Sequence, residues 1–139
     1  MAEGKVLTGA GLRGQVAGKT ALSTVGKSGA GLTYRGYDVQ DLAENCQFEE
    51  VAYLIFFGEL PTSEQLTSYK AKLKSLRQLP DALKEVLERI PADSHPMDVM
   101  RTGVSMLGNL ETEQSFDVQQ DVADRILAAL PGIICYWYR

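Results

Sequence analysis

His95 is the only histidine in the 139-residue sequence, and its chemistry is the first to consider. The reference pKa of an imidazole, about 6.5, suits a general base at neutral pH. His95 stands directly before Pro96, in a segment that predicts the start of a helix, where polar side chains cap free backbone N–H groups. No serine or cysteine nucleophile can be paired with it from spacing. We therefore predict a capping or packing role for His95 rather than a catalytic one.

Two glycine-rich stretches near the start of the chain resemble phosphate-binding loops. Gly9–Gly14 matches the dinucleotide fingerprint G-x-G-x-x-G. That motif needs a buried strand before it, and here only Val6 and Leu7 are available. Gly14–Thr20 resembles a P-loop but has three residues between its glycines instead of four, so its backbone does not suit a phosphate of fixed size. Neither stretch predicts a nucleotide site.

Four basic residues, Lys70, Lys72, Lys74 and Arg77, fall on one predicted helix. At about 100° per residue, Lys70 and Arg77 lie at one edge of its apolar stripe and Lys72 at the other. Their aliphatic stems can cover the core while their charges reach water, so a solvated face is the simpler interpretation. The functional alternative is that Lys72 or Arg77 binds a carboxylate or phosphate of a small substrate. These two residues are our candidates for substrate-anion binding.

Composition limits the classes of partner. The formal net charge of -4, from 18 acidic and 14 basic residues, offers no basic field for nucleic acid. Cys46 and Cys135 form no C-x-x-C pair, which argues against a zinc ribbon or a redox dithiol and fits a reducing compartment. Met1–Lys5 lacks the features of a signal peptide. We expect a cytoplasmic protein without a metal site.

The pattern predicts a mostly helical domain that follows a short β-hairpin. Residues 1–20 are rich in glycine and predict an extended lead-in. Residues 20–25 and 32–35 predict two paired strands joined by a glycine-rich turn, and Asp38 is placed to cap the first helix. The predicted helices cover about 39–46, 48–57, Thr62 to Arg77, 82–90 and 96–109, and a last one begins near Asp117 after a polar linker of about 109–117.

The last helix becomes almost continuously apolar over Ile126–Tyr136, and Pro131 predicts a kink or break within it. Eleven apolar residues are too few to span a bilayer, so we expect this segment to be buried in protein. The sequence ends at Arg139 with nothing left to cover the apolar face. We therefore expect the chain to be a piece of a larger protein.

Six short segments together resemble the citrate synthase family. The Tyr-Arg-Gly-Tyr segment and the later His-Pro-Met segment are the most specific of them, and the resemblance covers most of residues 20–138. Within the family, the Val-Gly-Lys-Ser-Gly wording, the Met97–Gly103 run and Tyr136–Tyr138 look most like members whose acyl substrate is propionyl-CoA. The segments are Thr24–Gly29, Leu32–Asp38, Asp41–Ala43, Phe48–Ala52, Gly58–Pro61 and His95–Asp98.

The resemblance implies an almost entirely α-helical homodimer that condenses an acyl-CoA, here propionyl-CoA, with oxaloacetate. The coenzyme A thioester is a substrate, and no metal or other cofactor is implied. In the family an aspartate removes the proton α to the thioester, and two histidines assist at the thioester and the ketone. Those three residues belong to a later part of the enzyme, beyond Arg139, and His95 matches a histidine that is not catalytic. The resemblance therefore implies no catalytic residue in this chain, and we expect the chain alone to be inactive.

The resemblance also implies how the chain contributes to the larger enzyme. Residues 1–38 would form the lead-in and hairpin, and residues 39–139 would form part of the large domain. The family pairs its subunits through antiparallel helices, and the small-faced helix at about 96–109 matches that region. Gly103 and Leu107 are our candidates for the dimer interface.

Two other functions remain open from the sequence. One is citrate synthase proper, with acetyl-CoA as substrate. The other is a helical interaction module without chemistry, which explains the missing catalytic residues but leaves the bare apolar terminus unexplained.

Overall fold

The computed structural model describes residues 18–26 and 31–139. The Gly9–Gly14 stretch and most of the Gly14–Thr20 stretch lie outside this part of the chain, as does most of the predicted hairpin turn. The described residues are mostly helical with a small antiparallel sheet, which confirms the predicted fold class. They belong to two compact units, of which the first ends at Asn45 and the second runs from Cys46 to Arg139. The predicted division after residue 38 stays a prediction.

The first unit holds a three-stranded antiparallel sheet in the order β1-β2-β3. Strand β1 (Ser23–Val25) pairs with β2 (Leu32–Tyr34), as predicted, and β2 also pairs with β3 (Tyr37–Asp38), which was not predicted. The second pairing depends on the two residues between β2 and β3. Arg35 and Gly36 both have positive φ, 49° and 93°, as the type I′ hairpin turn requires, because its twist matches that of the strands.

Helix α1 (Val39–Asn45) begins where the sequence predicts. The Asp38 carboxylate accepts a hydrogen bond of 2.7 Å from the backbone N–H of Gln40, which satisfies a donor left free at the start of the helix. Leu42 is the buried residue of this short helix.

The second unit contains five α-helices among the described residues. The clearest predicted start is confirmed: Thr62 Oγ1 accepts from the Gln65 N–H at 3.3 Å, and Gln65 Oε1 accepts from the Thr62 N–H at 2.8 Å, the reciprocal pair of a capping box. The helices lie within two residues of their predicted bounds. They are α2 (Phe48–Phe57), α3 (Ser63–Ser75), α4 (Asp81–Glu88), α5 (Pro96–Leu110) and α6 (Gln119–Tyr138), with a short 3₁₀ turn at Phe116–Val118 before α6.

The core lies where α4, α5 and α6 meet. Gly103 of α5 sits directly against Ile133 of α6, and a Cβ atom added at Gly103 would lie 2.5 Å from Ile133 Cγ2. Only glycine permits this approach, which accounts for a residue of poor helix propensity in mid-helix. The buried side chains of this cluster belong to Leu79, Leu83, Leu87, Val99, Leu107, Ala129 and Ile133.

Helix α6 continues without a break through Pro131, so a break at that position is ruled out. Proline removes one backbone hydrogen bond from a helix interior. Ala128, Ala129 and Ile133, which flank it, are all buried, and burial of an amphipathic face supplies most of a helix's stability in proteins. In the described part of the chain, no helix is both long enough and apolar enough to cross a membrane.

Candidate functional site

Lys72 lies in a polar network between α3 and α6. Its Nζ is 2.8 Å from Asp121 Oδ1 and 2.7 Å from Asp124 Oδ2. Hydrogen bonds to these two carboxylates raise the pKa of Lys72. The bond to Asp121 has the larger effect, and the bond to Asp124 comes next. Two carboxylates already balance its charge, so a substrate carboxylate or phosphate would have to compete with them.

Asp124 is the centre of this network. Its side chain is fully buried, and its two oxygens accept hydrogen bonds from three side chains. Tyr69 Oη donates at 2.9 Å, Lys72 Nζ at 2.7 Å and Gln120 Nε2 at 3.3 Å. A buried carboxylate is costly unless it is paired and hydrogen-bonded, and Asp124 satisfies both conditions.

Tyr69 is held as a hydrogen-bond donor. Burial is the main cause that raises the pKa of the Tyr69 hydroxyl, and the hydrogen bond to Asp124 raises it further. The phenol therefore stays protonated at neutral pH. Its ring packs edge-on against Tyr53, with centroids 5.4 Å apart, and against Phe57 at 6.0 Å, an arrangement that aromatic rings favour. The network therefore positions helices and offers no free base or nucleophile.

The pKa shift of Lys72 has a defined consequence for stability. A cationic group whose pKa is raised by folding stabilises the protein below its unfolded pKa, near 10.4 for lysine. That contribution is lost as the pH rises through the raised value. The contribution of Lys72 is therefore present at neutral pH and is lost under alkaline conditions.

Arg125 forms a second polar connection, from α6 to the ends of α3 and α5. Its Nε and Nη2 bind the two carboxylate oxygens of Glu111 at 2.8 and 2.7 Å. Its Nη1 and Nη2 also donate to the carbonyl oxygens of Leu76 at 2.6 Å and Gln78 at 3.1 Å. This use of the planar guanidinium fork is specific to arginine, and it fixes the loop that follows α3.

A groove of about 550 Å³ lies beside this arginine, between α5 and α6. Its volume falls within the range of small-molecule sites, but the surface that lines it is mostly apolar. Helix α5 contributes Leu107 and the small residue Gly108. The other lining residues are Leu76, Val104, Glu111, Thr112, Asp121, Val122, Arg125 and Ile126.

The structure does not gather the predicted site residues into one place. His95 caps α5, with Nδ1 accepting from the Met97 N–H at 3.2 Å, which confirms the predicted capping role. Arg77 is exposed after the end of α3, and its side chain makes no ion pair with any described residue. Gly103 and Leu107 are buried within their own chain. Their contacts there do not test a role between subunits.

The sequence analysis missed Asp124 and Arg125. A local signal existed, because both are charged residues within an otherwise apolar stretch of α6. Their partners on and after α3, however, lie about 50 residues away in the chain, and the spacing along α6 does not identify them.

Comparison with known proteins adds the family. A sequence model described as citrate synthase, C-terminal domain, matches residues 11–139. The chain belongs to the citrate synthase family. This match includes the Tyr-Arg-Gly-Tyr and His-Pro-Met segments on which the resemblance rests.

Two of the proteins that this chain resembles are a 2-methylcitrate synthase and a citrate synthase. The chain is 76% identical over all 139 residues to a 2-methylcitrate synthase of Shewanella oneidensis. It is 42% identical over 89% of its length to a citrate synthase of Mycolicibacterium smegmatis. The chain spans 37% of the first relative and 34% of the second.

A solved structure of the family shares the fold. It is the ternary complex of carboxymethyl coenzyme A and oxaloacetate with citrate synthase from Thermoplasma acidophilum. Its TM-score to this chain is 0.83 at 29% identity, and the match covers 93% of this chain and 35% of that protein.

The Asp124 network generates a prediction about stability. We expect Asp124→Asn to lower the free energy of unfolding by about 2 kcal/mol, because the amide removes a buried charge that pairs with Lys72. Asp121→Asn is the matched control, and we expect it to cost less than about 1 kcal/mol since Asp121 is 72% exposed. Urea unfolding followed by circular dichroism measures both. Equal losses in the free energy of unfolding for the two variants would show that the buried Asp124 contributes no more to stability than the exposed Asp121.

Proposed function

We propose that this chain is the amino-terminal part of a 2-methylcitrate synthase. That enzyme condenses propionyl-CoA with oxaloacetate to give 2-methylcitrate and free coenzyme A. A carbon–carbon bond forms between the α carbon of the acyl group and the ketone of oxaloacetate, and hydrolysis of the thioester releases the thiol.

The observation that supports this substrate is the 76% identity to the Shewanella 2-methylcitrate synthase, which extends over the whole chain. The identity to the Mycolicibacterium citrate synthase is much lower, at 42%. Citrate synthase proper, with acetyl-CoA, is therefore the second candidate. The Thermoplasma enzyme, crystallised with a coenzyme A derivative and oxaloacetate, supports the shared class of substrates.

The chain's own contribution is structural in this proposal. Removing a proton α to a thioester requires a positioned base and preorganised hydrogen bonds to the developing enolate. The only histidine is used as a helix cap, and the Asp124 carboxylate is fully buried and bonded to three donors. The catalytic aspartate and histidines would accordingly come from the rest of the longer enzyme.

The remaining parts of the proposal concern cofactors, substrate binding and location. We expect a cytoplasmic enzyme that needs no metal or other cofactor. Of the two candidates for substrate-anion binding, Arg77 suits the role better than Lys72, because Lys72 is already held by two carboxylates.

The intact enzyme tests the substrate. We expect kcat/KM for propionyl-CoA to exceed that for acetyl-CoA by about 10-fold or more, since one methylene group in an apolar pocket is worth about 1–3 kcal/mol. Release of free thiol in the presence of oxaloacetate measures the rate. The 139-residue chain alone serves as the control, and we expect it to release thiol no faster than buffer.

Three other results would contradict parts of the proposal. A preference for acetyl-CoA would identify a citrate synthase. Condensation of neither substrate by the intact protein would favour an interaction module. Turnover by the chain alone would show that its own residues carry the chemistry.

The proposed enzyme is a homodimer with α5 in or near the subunit interface. The groove between α5 and α6 supports this proposal, because its aliphatic lining includes Leu107 and remains open in this chain. Apolar surfaces of this kind are typical of obligate subunit interfaces. Gly103 would then act indirectly, by holding α5 close to α6.

Gly108 provides the test of this interface. A Cβ atom at Gly108 would meet no other atom within 4 Å, so Gly108→Leu fills the groove without disturbing the chain's own packing. We expect it to weaken dimerisation of the intact enzyme by about 10-fold or more, since it blocks the centre of a packed interface. Gly108→Ala is the matched control and should leave the dimer unchanged. Analytical ultracentrifugation over a dilution series measures both.

A Gly108→Leu enzyme as firmly dimeric as its parent would exclude the groove from the interface. Gly103 is less suitable for this test. Its substitution meets Ile133 of the same chain and would therefore damage the fold before it reached a partner.

A further inference from the structure

A phenyl ring projects from the turn that joins α5 to α6. Phe116 is the first residue of the 3₁₀ turn and is 84% exposed, more than any other phenylalanine of the chain. Its backbone is nevertheless fixed, because its carbonyl oxygen accepts a hydrogen bond from the Gln119 N–H at the start of α6. The ring is therefore presented to solvent at a defined position and buries little apolar surface in its own chain.

The open groove between α5 and α6 lies beside this turn. Glu111 and Thr112, which precede Phe116, line the groove, and so do Asp121 and Val122, which follow it. From Phe116 to Val122 the chain advances on the order of 10 Å, at about 2.0 Å per residue in the 3₁₀ turn and about 1.5 Å per residue in α6. The projecting ring and the groove therefore lie close together on the surface of one chain.

The charged groups of the groove are already paired, so an occupant need not bring a charge. The Arg125 guanidinium binds Glu111 at 2.7 Å, and Asp121 binds Lys72 at 2.8 Å. The surface between these groups is mostly apolar. An apolar cavity of about 150 Å³ is large enough for benzene, and the groove measures about 550 Å³. Its size and its chemistry therefore suit an uncharged aromatic side chain.

A second copy of the chain brings such a side chain to the groove. A twofold-symmetric interface pairs the same surface of two subunits, so each contact between them occurs twice. A surface that carries both a projecting ring and an open apolar groove can therefore be complementary to itself.

We propose that Phe116 of each subunit inserts into the groove between α5 and α6 of the partner subunit. Aromatic side chains that fill pockets near the centre of an interface contribute most of its binding energy. The inference rests on the homodimer of the proposed function, and it adds the residue that fills the groove.

Phe116→Ala tests the projecting ring in the intact enzyme. Because the side chain is exposed, the change removes the ring without disturbing the chain's own packing. We expect dimerisation to weaken about 30-fold or more, the loss typical of a central aromatic residue in an interface. Phe48→Ala is the matched control, since Phe48 is 65% exposed and does not line the groove, and it should leave the dimer unchanged. Analytical ultracentrifugation over a dilution series measures both.

A mixture of two variants tests whether the ring and the groove meet. Gly108→Leu fills the groove but keeps the ring, whereas Phe116→Ala loses the ring but keeps the groove. Neither homodimer can then form the contact, but the heterodimer forms it once, and its filled groove faces the subunit without the ring. We expect the equilibrium constant for heterodimers to exceed its statistical value about 10-fold or more. Native mass spectrometry separates the three dimers by mass.

A mixture of Gly108→Leu with Phe48→Ala is the control for the exchange of subunits. One homodimer has both contacts and the other has none, while the heterodimer has one. Its stability is then the average of the two homodimers, and the same equilibrium constant should stay at its statistical value.

Three results would overturn the inference. A Phe116→Ala enzyme as firmly dimeric as its parent would show that something else fills the groove. Statistical pairing in the first mixture would show that the ring and the groove do not meet, even where each single variant weakens the dimer. An equal excess of heterodimer in the control mixture would show an effect unrelated to the ring. None of these results bears on the substrate, which the release of thiol by the parent enzyme tests separately.

Discussion

The arrangement of α3 and α6 depends on the hydrogen bonds and the ion pair of the buried Asp124 carboxylate. A charged group with no exposed surface is tolerated only where donors surround it, and here the donors come from both helices. Tyr69 and Lys72 reach it from α3, and Gln120 reaches it from one turn earlier in α6. A shift of either helix along its axis would leave these donors and the carboxylate unpaired. The network therefore fixes the register of the two helices more strictly than apolar packing does.

Helix α5 is positioned by a different constraint, the close contact of Gly103 with Ile133. This contact brings α5 against α6, and the groove lies along the same pair of helices, where α5 lines it with Val104, Leu107 and Gly108. Arg125 connects α6 to the other two helices. It donates hydrogen bonds to Glu111, just after α5, and to the carbonyl groups that follow α3. The polar and apolar contacts together hold three helices around one open aliphatic surface. A rigid surface of this kind is what a scaffold segment of a larger helical enzyme requires.

Features encoded in neighbouring residues were predictable from the sequence. The capping box at Thr62, the cap at His95 and most helix bounds rest on local spacing, and the structure confirms them. The third strand was missed because Arg35 gives no sign that it adopts a positive φ. Of the kink or break predicted at Pro131, the break is wrong, because burial of the neighbouring residues stabilises the helix through the proline, and the kink stays a prediction. Tyr69 and Lys72 could not be predicted as partners of Asp124, because they lie in another helix.

In the candidate site, too, local features could be predicted from the sequence and long-range contacts could not. Charge patterning placed Lys72 at the edge of the apolar stripe of α3, but it did not show that Asp121 and Asp124 already balance its charge. The family resemblance gave the function that the comparisons support, whereas the residues alone gave only a helical domain. This chain supplies packing surfaces and fixed helices, and the proposal assigns the catalytic residues to the rest of the longer enzyme.

The central claim is that Lys72 and Asp124 act as a pair to align α3 with α6. A double-mutant cycle in urea unfolding, with Lys72→Met, Asp124→Asn and the combined variant, measures their interaction most directly. We predict that the double variant is more stable than the sum of the single losses indicates, by about 1–2 kcal/mol, the range expected for residues in one buried network. Losses that add to within about 0.3 kcal/mol would show that the two residues act independently, and would contradict the account.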